Sequence, residues 1–411
     1  MRVYKKRLSL WAIHLTYFID YLGWSIVFPL FAPLFLEEKR FSFLNGLGVD
    51  TRTTLFGVFL AVYPLMQFLA APIIGDFADL VGRKKALLAT VGMTFVGYAL
   101  TGFSINAGLL SLLFIGRLVT GLFSGNLSIC LASIADLSGC AKEKAKRFGY
   151  LSVLGGLAFI GGTFLGGKMT DPTLWSWLDL ASPLWFATSL SLINFFFVAF
   201  FFYETAPLKP AIKFRIFESI ENIAKALETK KAKVLFLVYF FFLFSWTLVF
   251  QLSPVLVLKR FNFSGAHIGD LAAFMGLMWA FGSGYLNRVF MKRFHSVKIL
   301  EYSLLIFTLL NCWIGFSHNI YVVISILGLC GMIGGLAWPL CTGLISSRFS
   351  EHMQGKVLGI SQSIFSLAMG LSSIIGASLY TLSSATPYIL AAAASLFGVI
   401  LYIKSNLRSH L

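Results

Sequence analysis

The feature that most constrains this chain is a series of uninterrupted apolar runs. Residues 53–75, 86–116, 148–167, 180–203, 234–258, 320–347 and 357–403 contain no Asp, Glu, Lys or Arg. About 20 mostly apolar residues suffice to cross a bilayer as a helix. Two runs are too long for one crossing. Ser104-Ile105-Asn106-Ala107-Gly108 divides the first, and Ser383-Ser384-Ala385-Thr386-Pro387 divides the 357–403 run. Further segments near 9–35, 109–133, 270–290 and 299–317 bring the count to twelve. Membrane β-strands alternate polar and apolar residues, and these runs do not. Charged residues make up only 12% of the 411, against about 25% in soluble domains. That excludes a cytosolic enzyme, a disordered chain and a disulfide scaffold. The expectation is an all-α polytopic membrane protein with twelve transmembrane helices.

The net charge of +16 is explained by where the charges fall. With the N-terminus inside, 26 Lys and Arg lie in cytoplasmic segments, six lie in outer loops, and Arg117 lies within a span. That asymmetry follows the positive-inside rule and places both termini in the cytoplasm. Nucleic-acid binding is therefore not needed to account for the basic excess. Trp175, Trp177 and Trp185 fall at an outer boundary, where indoles favour the headgroup region. Five cysteines without metal-ligand spacing read as small buried residues. The basic start followed by an apolar segment lacks a cleavage site and reads as an uncleaved first helix.

Residues 204–233 carry seven Lys and Arg and separate six spans from six. The predicted division is an N-terminal six-helix bundle (1–203), a basic cytoplasmic linker (204–233) and a C-terminal six-helix bundle (234–411). Within the linker, 214–228 has helix-like apolar spacing suited to lying along the inner surface. Gly75, Gly121, Gly125, Gly149 and Gly166 recur as Gly284, Gly331, Gly335, Gly359 and Gly376, at an offset of 209 or 210. Two homologous, pseudo-symmetric halves explain that repeat.

Between spans 2 and 3 stands Gly75-Asp76-Phe77-Ala78-Asp79-Leu80-Val81-Gly82-Arg83-Lys84-Lys85. It resembles the loop signature of the major facilitator superfamily, with a partial copy at Gly284–Arg293. Arg117-Leu-Val-Thr-Gly121-x-x-x-Gly125, ending at Asp136, resembles span 4 of the drug:proton antiporter branch that includes tetracycline efflux proteins. Gly149, followed by Gly162-Thr163-Phe164-Leu165-Gly166-Gly167, is similar to that branch's span-5 motif. It departs from the pattern at Thr163, where the branch has Pro, and at Ala158, where it has Gly.

Asp20 falls near mid-membrane, about 16 Å along span 1. A carboxylate at that depth needs a partner, water or a proton. Arg117 enters from the opposite side and is expected at similar depth. One reading makes Asp20 and Arg117 a proton-coupling pair, as the resemblance implies, and the other makes them a permanent structural ion pair. The resemblance also implies a conformational gate built from Gly75, Asp79, Gly82, Arg83, Lys84 and Asp136, and close helix packing at Gly121, Gly125, Gly149, Gly162, Gly166 and Gly167. Spans 1, 4, 7 and 10 line the cavity in that family, which nominates Trp24, Asn126, Trp246, Gln251 and Trp338, with Gln362 and Trp279 secondary.

The expected function is secondary active transport of a small organic molecule, as proton-coupled export of lipophilic or drug-like compounds. Proton-coupled uptake of a nutrient, siderophore or metabolite is the alternative. A transporter-like sensor would need an added soluble domain, and the linker is too short for one. Six scattered His and no nucleophile motif argue against a membrane enzyme, and no ATP-binding motif is present. The expected partners are the substrate, protons and the lipid bilayer, in an inner (plasma) membrane if the source is bacterial. The protein is expected to act as a monomer with no cofactor, using the proton gradient as its energy source.

Overall fold

The computed structural model describes residues 2–37, 42–205, 230–349 and 354–404. All regular elements among them are helical. The first span is α1 (Arg2–Ile26) and α2 (Phe28–Leu36), broken at Val27. Pro29 lies in the first turn of α2, where its missing N–H costs no intrahelical bond. After a short α3 (Ser42–Asn45) come α4 (Val49–Val81), α5 (Arg83–Ala107), α6 (Leu110–Leu122), α7 (Asn126–Leu137), α8 (Ala141–Lys168) and α9 (Ser182–Phe201). The second half begins with α10 (Lys230–Phe261) and α11 (Gly265–Phe281), then a π-turn (Gly282–Leu286) and α12 (Asn287–Met291). It ends with α13 (Ser296–Phe316), α14 (Ile320–Ser346), α15 (Gln354–Tyr380) and α16 (Thr386–Lys404). Most of the 204–233 linker, including the helix expected at 214–228, lies outside the described residues.

Among the described residues, eleven spans are long and apolar enough to cross a membrane. The eighth, expected at 270–290, runs from 265 to 291 and is cut by the π-turn, so no single piece of it is long enough. The cut falls where the backbones crowd. A Cβ on Gly282 would overlap the Met332 carbonyl of α14, and a π-turn absorbs one extra residue at such a place. The turn after span 3 also lies later than expected. The α5 helix continues through Ser104–Ala107 and stops at Gly108, whose φ of 68° provides the left-handed cap.

The described residues cluster into two compact units. One comprises Met1–Gly46, Leu65–Glu218 and Gly265–Asp270, and the other Leu47–Pro64, Ser219–Ser264 and Leu271–Leu411. The exchanged pieces are the first half of α4 and the first turns of α11. Each half of the chain pairs its helices in the same order. Span 1 packs on spans 5 and 6, and span 3 on spans 4 and 6; span 7 packs on 11 and 12, and span 9 on 10 and 12.

Four of the five repeated glycine pairs keep matching environments. Gly75 and Gly284 face open space, and so do Gly149 and Gly359. Gly125 abuts Ile74 and Gly335 abuts the Trp279 backbone, while Gly166 and Gly376 both face the first helix of their own half. The close-packing role expected of Gly149 is therefore corrected, because nothing lies within 4 Å of where its Cβ would stand. Gly75 likewise makes no tight approach, since α4 continues past it to Val81. Close packing does hold at Gly162 and Gly166. Added Cβ atoms there would lie 2.7 Å from the Leu22 carbonyl oxygen and 3.0 Å from the Ile26 carbonyl carbon of α1. Gly167 meets Gly265 and Gly269 of α11 equally closely. Small residues let backbones touch where lipid provides no hydrophobic drive between helices.

Candidate functional site

Asp20, on α1, is half-buried, and its Oδ1 accepts a 2.9 Å hydrogen bond from Asn126 Nδ2. Asn126 opens α7, immediately after the Phe123–Gly125 break in span 4. The break is held locally: the Ser124 hydroxyl donates to Gly121 O at 2.7 Å, and the Ser128 hydroxyl to Gly125 O at 2.7 Å. The Asn126 Oδ1, also buried, has no hydrogen-bond partner among the described residues. Aromatic residues precede and follow Asp20 along α1. Tyr17 stacks on Tyr21 at 4.7 Å, Tyr21 meets Trp24 edge-on at 6.3 Å, and Trp24 lies 5.7 Å from Phe159 of α8.

The expected pairing of Asp20 with Arg117 is not what the structure contains. Arg117 is 4% exposed, and its guanidinium lies 5.2 Å from the Phe31 ring centroid. Spans 1 and 4 run antiparallel, so Asp20 is level with Asn126 and Arg117 is level with Phe31. Nine residues separate Arg117 from Asn126, about 13 Å along a helix. The sequence count placed both charges near the middle; the helices place the cation closer to the outer end.

The loop motif assembles at the other end of span 2. Gly82 has a φ of 96°, a conformation that disfavours any side chain, and it caps α5. Arg83 Nη2 pairs with Asp79 Oδ1 at 2.5 Å, and Arg83 Nε with Asp136 Oδ2 at 3.4 Å. Lys84 Nζ donates to the Ala199 carbonyl at 2.8 Å. Glu204, just past α9, was not singled out from the sequence. Its two carboxylate oxygens accept from the backbone N–H groups of Arg83 (2.9 Å) and Lys84 (3.1 Å). An anion at a helix N-terminus stabilises it by about 0.3–1 kcal/mol. Thr205 adds a hydroxyl bond to Asp136 Oδ2 at 3.2 Å. Only the position of Glu204, the first charge after the 180–203 run, could have pointed to it.

In the other unit the cavity nominees divide. Gln251 is fully engaged by α15. Its Nε2 donates to Met369 O at 2.9 Å, and its Oε1 accepts from Ser373 at 2.7 Å. At 4% exposure its amide serves packing between α10 and α15. Trp246 and Trp338 instead join an aromatic cluster with Trp279, and Gln362 stands half-buried on α15, one turn from Phe365.

A profile of the Major Facilitator Superfamily matches residues 13–300 and 235–409. The chain belongs to the major facilitator superfamily. It is an integral, multi-pass membrane transporter, and both halves carry the family's signal. Major facilitator superfamily domain-containing protein 10 of Bos taurus is 26% identical over 414 residues, covering 91% of this chain and 87% of that protein. The class H tetracycline resistance protein of Pasteurella multocida is 26% identical over 372 residues, covering 89% and 88%. The crystal structure of the human organic anion transporter MFSD10 (TETRAN) superposes with a TM-score of 0.72 at 23% identity, covering 97% of this chain and 99% of that one. A D-xylose-proton symporter superposes at 0.73 with 14% identity, covering 96% of each. These structural likenesses establish the superfamily fold.

Proposed function

We propose that this superfamily member exports lipophilic, drug-like organic molecules by alternating access, driven by proton antiport, with Asp20 as the proton site. The observation that carries the reading is the Asp20–Asn126 contact with its unmet amide oxygen. A carboxylic acid and a primary amide can form two reciprocal hydrogen bonds. Nδ2–H already donates to the carboxylate. A proton arriving on the other carboxylate oxygen would donate to Asn126 Oδ1 and satisfy every polar atom of the pair. When the proton leaves, that oxygen is again unmet, at a cost of about 1–3 kcal/mol for a buried acceptor. An arginine partner would hold the carboxylate charged; an amide accommodates both states. Because Asn126 starts α7 at the break in span 4, each protonation step alters the tie between α1 and the inner half of that span. The tetracycline resistance relatives support the export direction and the substrate class.

A second reading has one observation behind it. The human relative of known structure is named an organic anion transporter, and Arg117 supplies this chain with a buried cation in a span. Both readings meet the same test, accumulation in proteoliposomes under an imposed pH gradient, with tetracycline, lipophilic cations and organic anions as the panel. Wild type is expected to move at least one cation or neutral drug against its gradient, and D20N to lose that accumulation while retaining substrate exchange. Transport indifferent to pH, or an unimpaired D20N, overturns the coupling role. Movement of the organic anions alone selects the second reading.

A further inference from the structure

Five of the nine tryptophans lie near the ends of spans or in loops: Trp11, Trp175, Trp177, Trp185 and Trp313. That is where indole rings are favoured in a membrane. Trp246, Trp279 and Trp338 lie instead in the interiors of α10, the span-8 segment and α14, and they touch one another. Trp246 and Trp279 have ring centroids 4.6 Å apart, and Trp279 and Trp338 5.4 Å apart. The arrangement is fixed from two sides. Trp338 Nε1 donates a 2.9 Å hydrogen bond to the Tyr239 hydroxyl, so this indole's polar edge is satisfied and its rotation limited. Gly334 leaves the room the rings occupy: a Cβ there would stand 2.8 Å from Trp279 and 3.2 Å from Trp246. Phe365 continues the stack, 6.3 Å from Trp338 and within 13° of parallel. Trp279, Trp338 and Phe365 are only half-buried, so ring surface remains uncovered at mid-span depth.

We propose that Trp246, Trp279 and Trp338 form a stacking subsite for a planar aromatic ring system of the transported molecule. The proposal rests on the transporter reading above and narrows its substrate class from lipophilic to planar aromatic. A flat ring gains about 0.5–1.5 kcal/mol per aromatic contact beyond its area burial. Aliphatic cages of equal polarity gain only the area term.

The test compares two amine-bearing probes, proflavine (planar, tricyclic) and amantadine (an aliphatic cage). Both are measured by equilibrium dialysis against the full-length protein in lipid nanodiscs, with protein-free nanodiscs subtracted. Wild type is expected to bind proflavine, and W279L and W338L to weaken that binding about three- to tenfold each, with amantadine, which has only contact area to lose, weakened less. W279F and W338F keep a ring and are expected to recover most of the proflavine affinity, which also separates lost stacking from misfolding. Equal weakening of both probes, or leucine variants that bind proflavine as wild type does, overturns the subsite. Wild type that binds no planar probe, yet accumulates another compound under a pH gradient, also overturns it while leaving the transporter reading intact.

Discussion

A single hydrogen bond decides how Asp20 is to be understood. Its donor is an amide, so losing it is graded where losing an ion partner would be drastic. A hydrogen bond to a charged group is worth about 1.5–3 kcal/mol. N126A loses that bond but also removes the unmet Oδ1, so it is expected to lower unfolding stability in mixed micelles by less than that amount while blunting gradient-driven accumulation. Unchanged stability and accumulation would show that the contact contributes nothing. Glu143 illustrates a different electrostatic case, outside the spans. The Gly139 backbone N–H, and then Arg147 and Lys6, hold its carboxyl below the usual glutamate range. A depressed value means the contribution is full above the ordinary glutamate pKa of about 4.3 and is lost as pH falls through the lowered one. The protection factor of the Gly139 amide, its exchange rate relative to the intrinsic rate at the same pH, should hold at neutral pH and fall only in strong acid. In E143A, which has no side-chain acceptor, the protection should be lost at neutral pH as well.

Among the helices, closeness of approach separates glycines that look alike in sequence. G166V forces a branched side chain against the Ile26 backbone and is expected to cost more than about 1–3 kcal/mol, the usual range for overpacking. G149A meets open space and should be neutral or stabilising by about 0.5–1 kcal/mol, because an open helix interior prefers Ala. Thermal unfolding of the two variants side by side checks both signs. The apolar runs gave the spans because period and length alone set a crossing helix. They did not give the breaks. The Gly282–Leu286 turn sits in a stretch that reads as continuous helix and falls where the Met332 carbonyl crowds Gly282, while the breaks at Val27 and Phe123–Gly125 go with local features, Pro29 and the Ser124 and Ser128 hydroxyls. The loop motif was legible as a cluster, since Asp79 and Arg83 are one turn apart and Asp136 closes span 4. Glu204 was not legible, since its role depends on α9 ending beside the first turn of α5. For Asp20 the residue count pointed to Arg117, whereas its observed partner is Asn126, because counting from each end ignores how far along antiparallel helices the two charges fall.

At the scale of the whole transporter, two clusters in one unit carry the proposed cycle: the Asp20–Asn126 pair and the Arg83 network. Arg83 joins two carboxylates, so R83A leaves Asp79 and Asp136 without the cation between them. Breaking a buried pair one partner at a time can cost about 3–5 kcal/mol, with less expected here because both carboxylates are partly exposed. Each 1.4 kcal/mol shifts a two-state balance about tenfold. R83A is expected to cut the transport rate at least about tenfold with substrate affinity little changed; an unchanged rate would remove the network from the cycle. The most direct measurement of the central claim is infrared difference spectroscopy of the protein in lipid as substrate is added and pH is changed. The account predicts a protonated-carboxyl C=O band that appears with acid and disappears with substrate, is missing in D20N, and moves to a less hydrogen-bonded frequency in N126L. A wild-type spectrum with no such band, or the same band in D20N, would contradict it.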